Sequence, residues 1–188
     1  MQIHRLLSLT DLVVLVVVAV ILFLPGREVT AEPPAKMDAD TRLALAFAEA
    51  RARANPADGK AVADVARRLG EVGQLDWAVQ AAYVGAERAA RSPTRWRALL
   101  AASIAHADRL EVKEALELAN LTLAECAEVG EVACPSHEEV RVEIYQRHLD
   151  AGVRSGIDPK KDPNGFREKG EAALRQVRAL GTGDGAVK

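Results

Sequence analysis

The protein has 188 residues, of which 49% are hydrophobic but only 4% are aromatic, and its formal net charge at pH 7 is −2. A charge so close to zero gives no electrostatic argument for nucleic-acid binding, and we predict no nucleic-acid partner. Alanine supplies much of the apolar content and β-branched runs are few after residue 30, so the composition predicts an all-α fold.

An apolar segment lies near the N-terminus. Leu12–Leu24 contains no polar residue, but as a helix it would rise only about 20 Å, less than the roughly 30 Å of a bilayer's hydrocarbon core. Extending the segment back to Leu6 gives a spanning length and takes in Asp11. A carboxylate inside a membrane is costly and would suggest a proton carrier. Because Asp11 lies near the start of the segment, we expect it to cap the helix at the headgroup layer instead.

Two interpretations of this segment remain open. Residues 1–26 are either a permanent single-pass membrane anchor, spanning through residues 6–24, or a signal peptide cleaved after Val29-Thr30-Ala31. We expect the anchor, because the basic start is weak and the cleavage site lies well beyond the apolar run. Either interpretation places the following domain on the exported side, periplasmic or extracellular, and cleavage would release it. Residues 27–37 are predicted to be a linker.

Capping residues and turns divide residues 38–181 into predicted helices. Asp38 and Asp58 each precede a helical pattern, where a carboxylate can accept hydrogen bonds from the free N–H groups of the first turn. Gly70–Gly73 predicts a tight turn, and Ser92-Pro93 supplies a cap followed by proline at a first helical position. The predicted helices run to about Ala54, from Asp58 to Gly70, from Leu75 to Arg91, and onward from Ser92.

Small residues recur along one face of the helix that begins at Leu75. They are Ala78, Ala82, Gly85, Ala86 and Ala89. A face with so little bulk allows a second helix to approach closely, which predicts an antiparallel hairpin. Farther along, Trp96 begins an apolar stripe at helical spacing and is expected to be a packing anchor.

This pattern resembles the tetratricopeptide (TPR) repeat, in which two helices carry small residues at fixed positions around a glycine turn. If Ala78 takes the family's alanine position, Ala66 falls in its glycine position, while Val62 and Ala82 stand where the family has aromatic residues. Ala115-Leu-Glu-Leu-Ala119 repeats the spacing 37 residues later (115 minus 78), against a family period of about 34. The resemblance implies TPR-like hairpins stacked as a short solenoid.

The resemblance also implies a concave binding surface formed by the first helix of each repeat. The positions that face it match Lys60, Ala63, Arg67, Arg97, Leu100 and Ile104. The basic side chains would form a patch beside an apolar floor of Leu100 and Ile104. Such a surface suits an extended acidic segment of a partner protein, or the partner's C-terminus. The alternative is that these are ordinary solvated charges.

Two cysteines flank a short connector. Cys126 and Cys134 are predicted to form a disulfide, because an exported domain meets oxidising conditions and the connector is short. The alternative is a metal site with His137, but a fourth ligand is missing at a usual spacing, so we predict no metal. Ser136 and Glu139 form a predicted capping box at the start of the next helix.

The C-terminal third predicts two further helices separated by two Asp-Pro turns. The first carries Val140, Ile144 and Leu149 at helical spacing, and the second begins its apolar stripe at Phe166. Residues 137–180 are either a degenerate third repeat or a cap for the solenoid. Residues 182–188 are predicted to be a disordered tail.

The sequence has no phosphate-binding glycine loop, zinc-protease motif or nucleophile elbow, so we predict no enzymatic activity and no cofactor. The expected function is that of an exported, membrane-anchored scaffold or adaptor that binds another protein. The alternative is a structural subunit packed permanently inside a membrane-associated complex. An apolar concave surface would favour the permanent subunit, and a charged one would favour a peptide partner.

Overall fold

The computed structural model describes residues 37–181, with the side chains of residues 37–175, and this part of the protein is helical throughout. It contains seven α-helices and no strand between residues 37 and 181, which confirms the predicted all-α class for that range. The helices are α1 (Ala39–Ala54), α2 (Gly59–Glu71), α3 (Leu75–Arg88), α4 (Arg95–Asp108), α5 (Val112–Val129), α6 (Ser136–Arg154) and α7 (Pro163–Gly181).

Local signals determine where the first helices begin and end. The Asp38 carboxylate accepts a hydrogen bond from the backbone N–H of Thr41 at 2.7 Å, and Asp58 accepts one from Lys60 N–H at 2.9 Å. Both are N-cap contacts that satisfy free donors of the first turn, as the sequence predicts. Gly73 has φ +77°, which allows the backbone to reverse in three residues between α2 and α3. A connection this short places the two helices antiparallel.

The small-residue face of α3 is buried. Ala78, Ala82 and Ala89 are fully buried, and Ala86 is 4% exposed. This face packs against α2 and α4, which also pack against each other. Close approach of the helices follows from the missing side-chain bulk. The core that they enclose with α5 is made of Ala66, Ala82, Ala86, Ala98, Leu99, Ala102 and Leu118.

The C-terminal helices continue the series of neighbours. Helix α5 packs against α4 and α6, and α6 packs against α7. Two glycines allow the last contact: the Phe166 ring fills the space over Gly152, and the His148 ring fills the space over Gly170. A methyl group on either glycine would overlap the ring that packs on it. The apolar stripe predicted from Phe166 is therefore buried against α6 at its start.

The start of α4 differs from the prediction. The helix begins at Arg95, because Ser92 to Arg95 forms a turn closed by a hydrogen bond from Arg95 N–H to the Ser92 carbonyl at 3.1 Å. The Thr94 hydroxyl accepts a hydrogen bond from Gly59 N–H at 2.9 Å, which ties this turn to the start of α2. The Ser92 hydroxyl accepts a hydrogen bond from Thr94 N–H at 3.3 Å inside this turn, and the N-cap residue of α4 is Thr94 instead of Ser92.

The predicted capping box at Ser136 is wrong. Pro135 occupies the N-cap position of α6, and Ser136 is already helical. The Ser136 hydroxyl donates a hydrogen bond to Glu131 Oε1 at 2.7 Å, in the connector, instead of accepting one from the backbone at Glu139.

Two apolar stripes also face other directions than the periodicity suggests. Leu43 and Phe47 of α1 are 57% and 64% exposed, because α1 packs on α2 through the opposite face, where Ala48 is buried. In α6, Val140 and Ile144 are exposed, whereas Leu149 is 3% exposed as predicted and Val142, which the prediction missed, is 1% exposed. Periodicity identifies a helix, but it does not identify which of two apolar faces meets the core.

The predicted anchor at 1–26, most of the linker at 27–37 and the tail at 182–188 lie outside the described residues. Within residues 37–181, the helices are too short or too polar to cross a membrane.

Candidate functional site: a groove lined by α2, α4 and α6

A concave cavity of about 760 Å³ opens along helices α2, α4 and α6, and we call it the groove. All five side chains predicted from the sequence to contact a partner line it: Lys60, Arg67, Arg97, Leu100 and Ile104. Ala63 lines it as well. The structure therefore brings the predicted residues of two separate helices together on one surface. That this surface binds a partner stays a prediction.

The groove exists because α2 and α4 pack side by side, whereas α6 is not closely packed against α4. Gly59 and Thr94 are in contact at the start of α2 and α4, and Gly70 lies beside Asp108 at their ends, so the two helices are parallel. Their backbones approach closely at Gly59 because glycine has no side chain; even a methyl group there would overlap the Thr94 carbonyl. Helix α6 meets α4 through long side chains instead of closely packed backbones, which leaves the cavity between them.

Apolar side chains form the floor of the groove. Trp96 is 1% exposed and its indole N–H donates to the Ala133 carbonyl at 3.1 Å, which fixes the ring between α4 and the connector that precedes α6. Leu100 is half-buried and Val142 is buried beside Trp96. Ile104 is 44% exposed within the groove. An exposed aliphatic side chain in a concave surface can anchor a partner's side chain.

Ion pairs neutralise most of the predicted basic patch. Arg67 donates hydrogen bonds to Asp64 Oδ1 at 2.6 Å and to Glu71 Oε1, and these carboxylates raise the pKa of the guanidinium. Arg97 lies 3.4 Å from Glu138 Oε1, and its guanidinium stacks on the Trp96 ring at 4.2 Å from the centroid. The rim therefore presents alternating charge rather than a basic surface.

Charges of both signs line the groove in nearly equal number. Five basic side chains (Arg51, Lys60, Arg67, Arg97, Arg141) and four acidic ones (Asp64, Glu71, Asp108, Glu138) are present. The sequence prediction includes three of the basic residues and none of the acidic ones. Asp64 and Glu71 lie three residues before and four residues after Arg67, so helical spacing could have revealed those two. Asp108 lies four residues after the predicted groove residue Ile104 and could have been found in the same way. Glu138 could not, because its position depends on how α6 packs.

Tyr145, which belongs to the stripe predicted for α6, is a further groove residue that was not predicted to contact a partner. Its hydroxyl lies 3.4 Å from Ser103 Oγ, which itself donates to the Ala115 carbonyl at 2.6 Å. Burial raises the pKa of Tyr145 to about 12, and the nearby Asp108 carboxylate acts in the same direction. Tyr145 therefore stays neutral and contributes an apolar ring with one hydroxyl to the wall of the groove.

The predicted cysteine pair lies behind the floor. Cys126 and Cys134 are at disulfide distance, with their Cα atoms 5.2 Å apart, and both are buried against Trp96 and Val142. Within residues 37–181, no group of three or more His, Cys, Asp or Glu side chains is arranged to hold a metal ion. The alternative metal site with His137 has no support in this geometry.

A polar cluster with one buried member, His106, lies away from the groove. His106 is 8% exposed, its Nδ1 lies 2.7 Å from Glu111 Oε2 and its Nε2 lies 3.1 Å from the Tyr83 hydroxyl. A histidine between a carboxylate and a hydroxyl can move protons in an enzyme. Here the cluster joins α3 to α4 and to the turn before α5, and the ring is enclosed. Its geometry is that of a structural contact.

The comparisons add no assignment: no protein-family model matches the sequence, and no match was found among curated proteins or solved structures. The TPR resemblance therefore stays an interpretation of the sequence pattern. The functional argument depends on the geometry of the groove.

Proposed function

We propose that this protein is a non-enzymatic scaffold or adaptor that binds a segment of another protein in the groove. The observation that carries the proposal is the convergence of Lys60, Arg67, Arg97, Leu100 and Ile104 on one concave surface. These are the positions that a TPR-like domain would turn toward a ligand. A groove of about 760 Å³ is in the size range of sites that bind peptides and small molecules.

The helix arrangement supports a TPR-like interpretation of the domain. Helices α2 and α4 begin 36 residues apart (59 to 95), near the family period of about 34, and each is followed by a second helix after a three-residue connection. In such an array the first helices of successive repeats line the concave side. The groove is formed by α2, α4 and α6, which would be those helices.

The composition of the groove indicates what would bind. Trp96, Leu100 and Val142 provide an apolar floor, while charges of both signs lie along the rim. An extended segment with alternating side chains can place apolar groups on the floor and polar groups on the rim. This mixed polarity favours a peptide partner with both apolar and charged residues over a purely acidic tail.

The alternative function is a structural subunit of a membrane-associated complex. Leu43 and Phe47 favour it, because they are large, mostly exposed and four residues apart on the outer face of α1. Trp77 of α3 is also 60% exposed. Apolar side chains left open in this way often lie in permanent interfaces. In that case a partner would cover α1 and the groove would be dispensable.

Ile104 and Leu121 provide a matched test. Ile104 is 44% exposed inside the groove, and Leu121 is 42% exposed on α5, outside it. Full-length tagged protein carrying Ile104→Glu or Leu121→Glu would be purified from detergent-solubilised membranes, with circular dichroism as the folding control. We expect Ile104→Glu to lose the proteins that wild type retains and Leu121→Glu to keep them. Equal retention by both variants would overturn the proposal, and loss with Phe47→Glu alone would favour the structural subunit.

The site of action follows from the N-terminal segment. We propose that residues 6–24 anchor the protein in the membrane and that residues 38–181 lie on the exported side, periplasmic or extracellular. The cysteine pair supports this proposal, because disulfides persist in oxidising compartments and are rare in the cytosol. Cleavage after Ala31 would instead release the domain as a periplasmic or secreted protein.

A further inference from the structure

One carboxylate of the groove has no partner within the described part of the protein. Asp64 lies within ion-pair distance of Arg51 and Arg67, and Glu138 of Arg97 and Arg141. Glu71 pairs with Arg67. Asp108 differs from these three acids, because between residues 37 and 175 no basic side chain lies within ion-pair distance of it and no donor hydrogen-bonds to it.

The position of Asp108 makes this difference informative. It is the last residue of α4, at the end of the groove where α2 also ends. Gly70 stands beside it, because a methyl group there would come to 3.8 Å from Asp108 Oδ2, an ordinary contact distance, and Asp108 as a whole is exposed. Partial burial raises the pKa of Asp108 above its usual value, although the side chain keeps contact with solvent. A cation bound there would favour the charged carboxylate.

The wall next to Asp108 suits an aliphatic side chain that ends in a charge. Ile104 lies one helical turn before Asp108 on α4, and the Tyr145 ring lines the opposite wall. A lysine side chain buries its methylene groups on apolar surface while its ammonium group stays with an acceptor. The Asp108 carboxylate and the Tyr145 hydroxyl are separate acceptors, which suits an ammonium group with three donors better than the rigid fork of arginine.

The other end of the groove has the opposite character. Lys60 lies in the first turn of α2 and has no acidic partner within ion-pair distance among residues 37–175. Arg97 and Arg141 stand near the starts of α4 and α6 and share the single carboxylate of Glu138. Basic charge therefore exceeds acidic charge at the start of the helices, and the unpaired Asp108 lies at their end.

We propose that the groove binds a protein segment that places a lysine at Asp108 and an acidic side chain at Lys60. This inference rests on the proposed function, and it specifies the chemistry and the orientation of the partner. Lys60 and Gly70 are ten residues apart, so the two charges of the groove are separated by about 15 Å along α2. An extended segment covers that distance in about four or five residues.

A zero-length carbodiimide crosslinker tests the contact at Asp108 directly, because it joins a carboxylate only to an amine that touches it. Membranes containing the full-length tagged protein would be treated with the reagent, and the linked peptides would be identified by mass spectrometry. We expect the peptide containing Asp108 to be joined to a lysine of another protein. Asp108→Asn should remove that link, whereas Glu117→Gln, which changes an exposed carboxylate outside the groove, should not.

Retention of the partner gives the second readout. Asp108→Asn should lower it about two- to fivefold, as expected for one partly exposed charge pair, and Glu117→Gln should leave it unchanged. If Ile104→Glu removes the partner but Asp108→Asn retains it fully, the groove binds without the lysine contact and this inference is overturned alone. If neither variant changes retention, the proposed function fails with it. A link from Asp108 to a lipid amine or to a lysine of the same molecule would also overturn the inference.

Discussion

Val62 of α2 lies directly against Gly85 of α3, so closely that a methyl group built on Gly85 would overlap the Val62 side chain. Gly85 is helical, and glycine inside a helix costs about 1 kcal/mol relative to alanine. This loss of helix propensity occurs where α2 and α3 are in close contact through Val62 and Gly85. The Val62 side chain occupies the space that glycine leaves at position 85.

Gly85→Ala is therefore expected to destabilise the protein by about 1–2 kcal/mol, because overpacking at Val62 exceeds the gain in helix propensity. Gly70→Ala is the matched change: Gly70 is also helical, but a methyl group there has ordinary clearance, so its stability should stay equal or rise by up to about 1 kcal/mol. Urea unfolding followed by circular dichroism measures both. If both substitutions change the free energy of unfolding equally, the effect of Gly85→Ala comes from helix propensity and not from the Val62 contact.

The sequence predicts well what depends on neighbours along the backbone. Asp38 and Asp58 cap their helices because each carboxylate reaches an N–H two or three residues ahead. The buried alanine face of α3 was also predictable, because the helical spacing of its small residues can be read from the local sequence. The helix order and the hairpin of α2 and α3 follow from these features, whereas the groove residues were predicted only from the TPR resemblance.

What the sequence could not predict depends on contacts between distant residues. The Thr94 hydroxyl accepts a hydrogen bond from Gly59 N–H, 35 residues away, and the turn that contains Thr94 precedes the start of α4 at Arg95. Arg97 meets Glu138 from 41 residues away, so the rim carries mixed charge where a basic patch is predicted. Asp108 lies one helical turn after Ile104, so its place on the groove face was predictable, but its lack of an ion-pair partner among residues 37–175 depends on contacts between distant residues.

Tyr145 predicts a loss of stability at high pH. Its pKa is about 12 in the folded protein, against about 10 when unfolded. Its contribution to the free energy of unfolding is therefore complete below pH 10 and is lost as pH rises toward 12. Between these values the unfolded protein releases the proton while the folded protein keeps it. The full effect is about 2–3 kcal/mol. Urea unfolding between pH 9 and 11 should show this decline, and Tyr145→Phe should flatten it. An unchanged slope in Tyr145→Phe would assign the decline to other groups.

The N-terminal segment predicts stable membrane attachment. If residues 6–24 form a helix, its length would be about 28 Å, enough to cross most of a hydrocarbon core of about 30 Å. The mature protein should therefore keep Met1 and stay in the membrane fraction after washing with alkaline carbonate. Asp11→Asn should leave attachment and partner retention nearly intact, since asparagine caps a helix about as well as aspartate. A soluble protein beginning at Glu32 would contradict the anchor and support the cleaved signal peptide.

The cysteine pair predicts a link between oxidation state and the groove. The disulfide would close a loop of eight residues in sequence separation, for which loop-closure entropy gives about 2–3 kcal/mol. Both sulfurs pack against Trp96 and Val142, which form part of the groove floor, so losing the bond should also loosen that floor. Reduction, or the double variant Cys126→Ser with Cys134→Ser, should lower the melting temperature and weaken partner retention. The paired substitution Ser136→Ala, which removes only a nearby surface hydrogen bond to Glu131, serves as the control. Rapid alkylation of both cysteines in freshly isolated native protein would show that the thiols are free and would contradict the prediction.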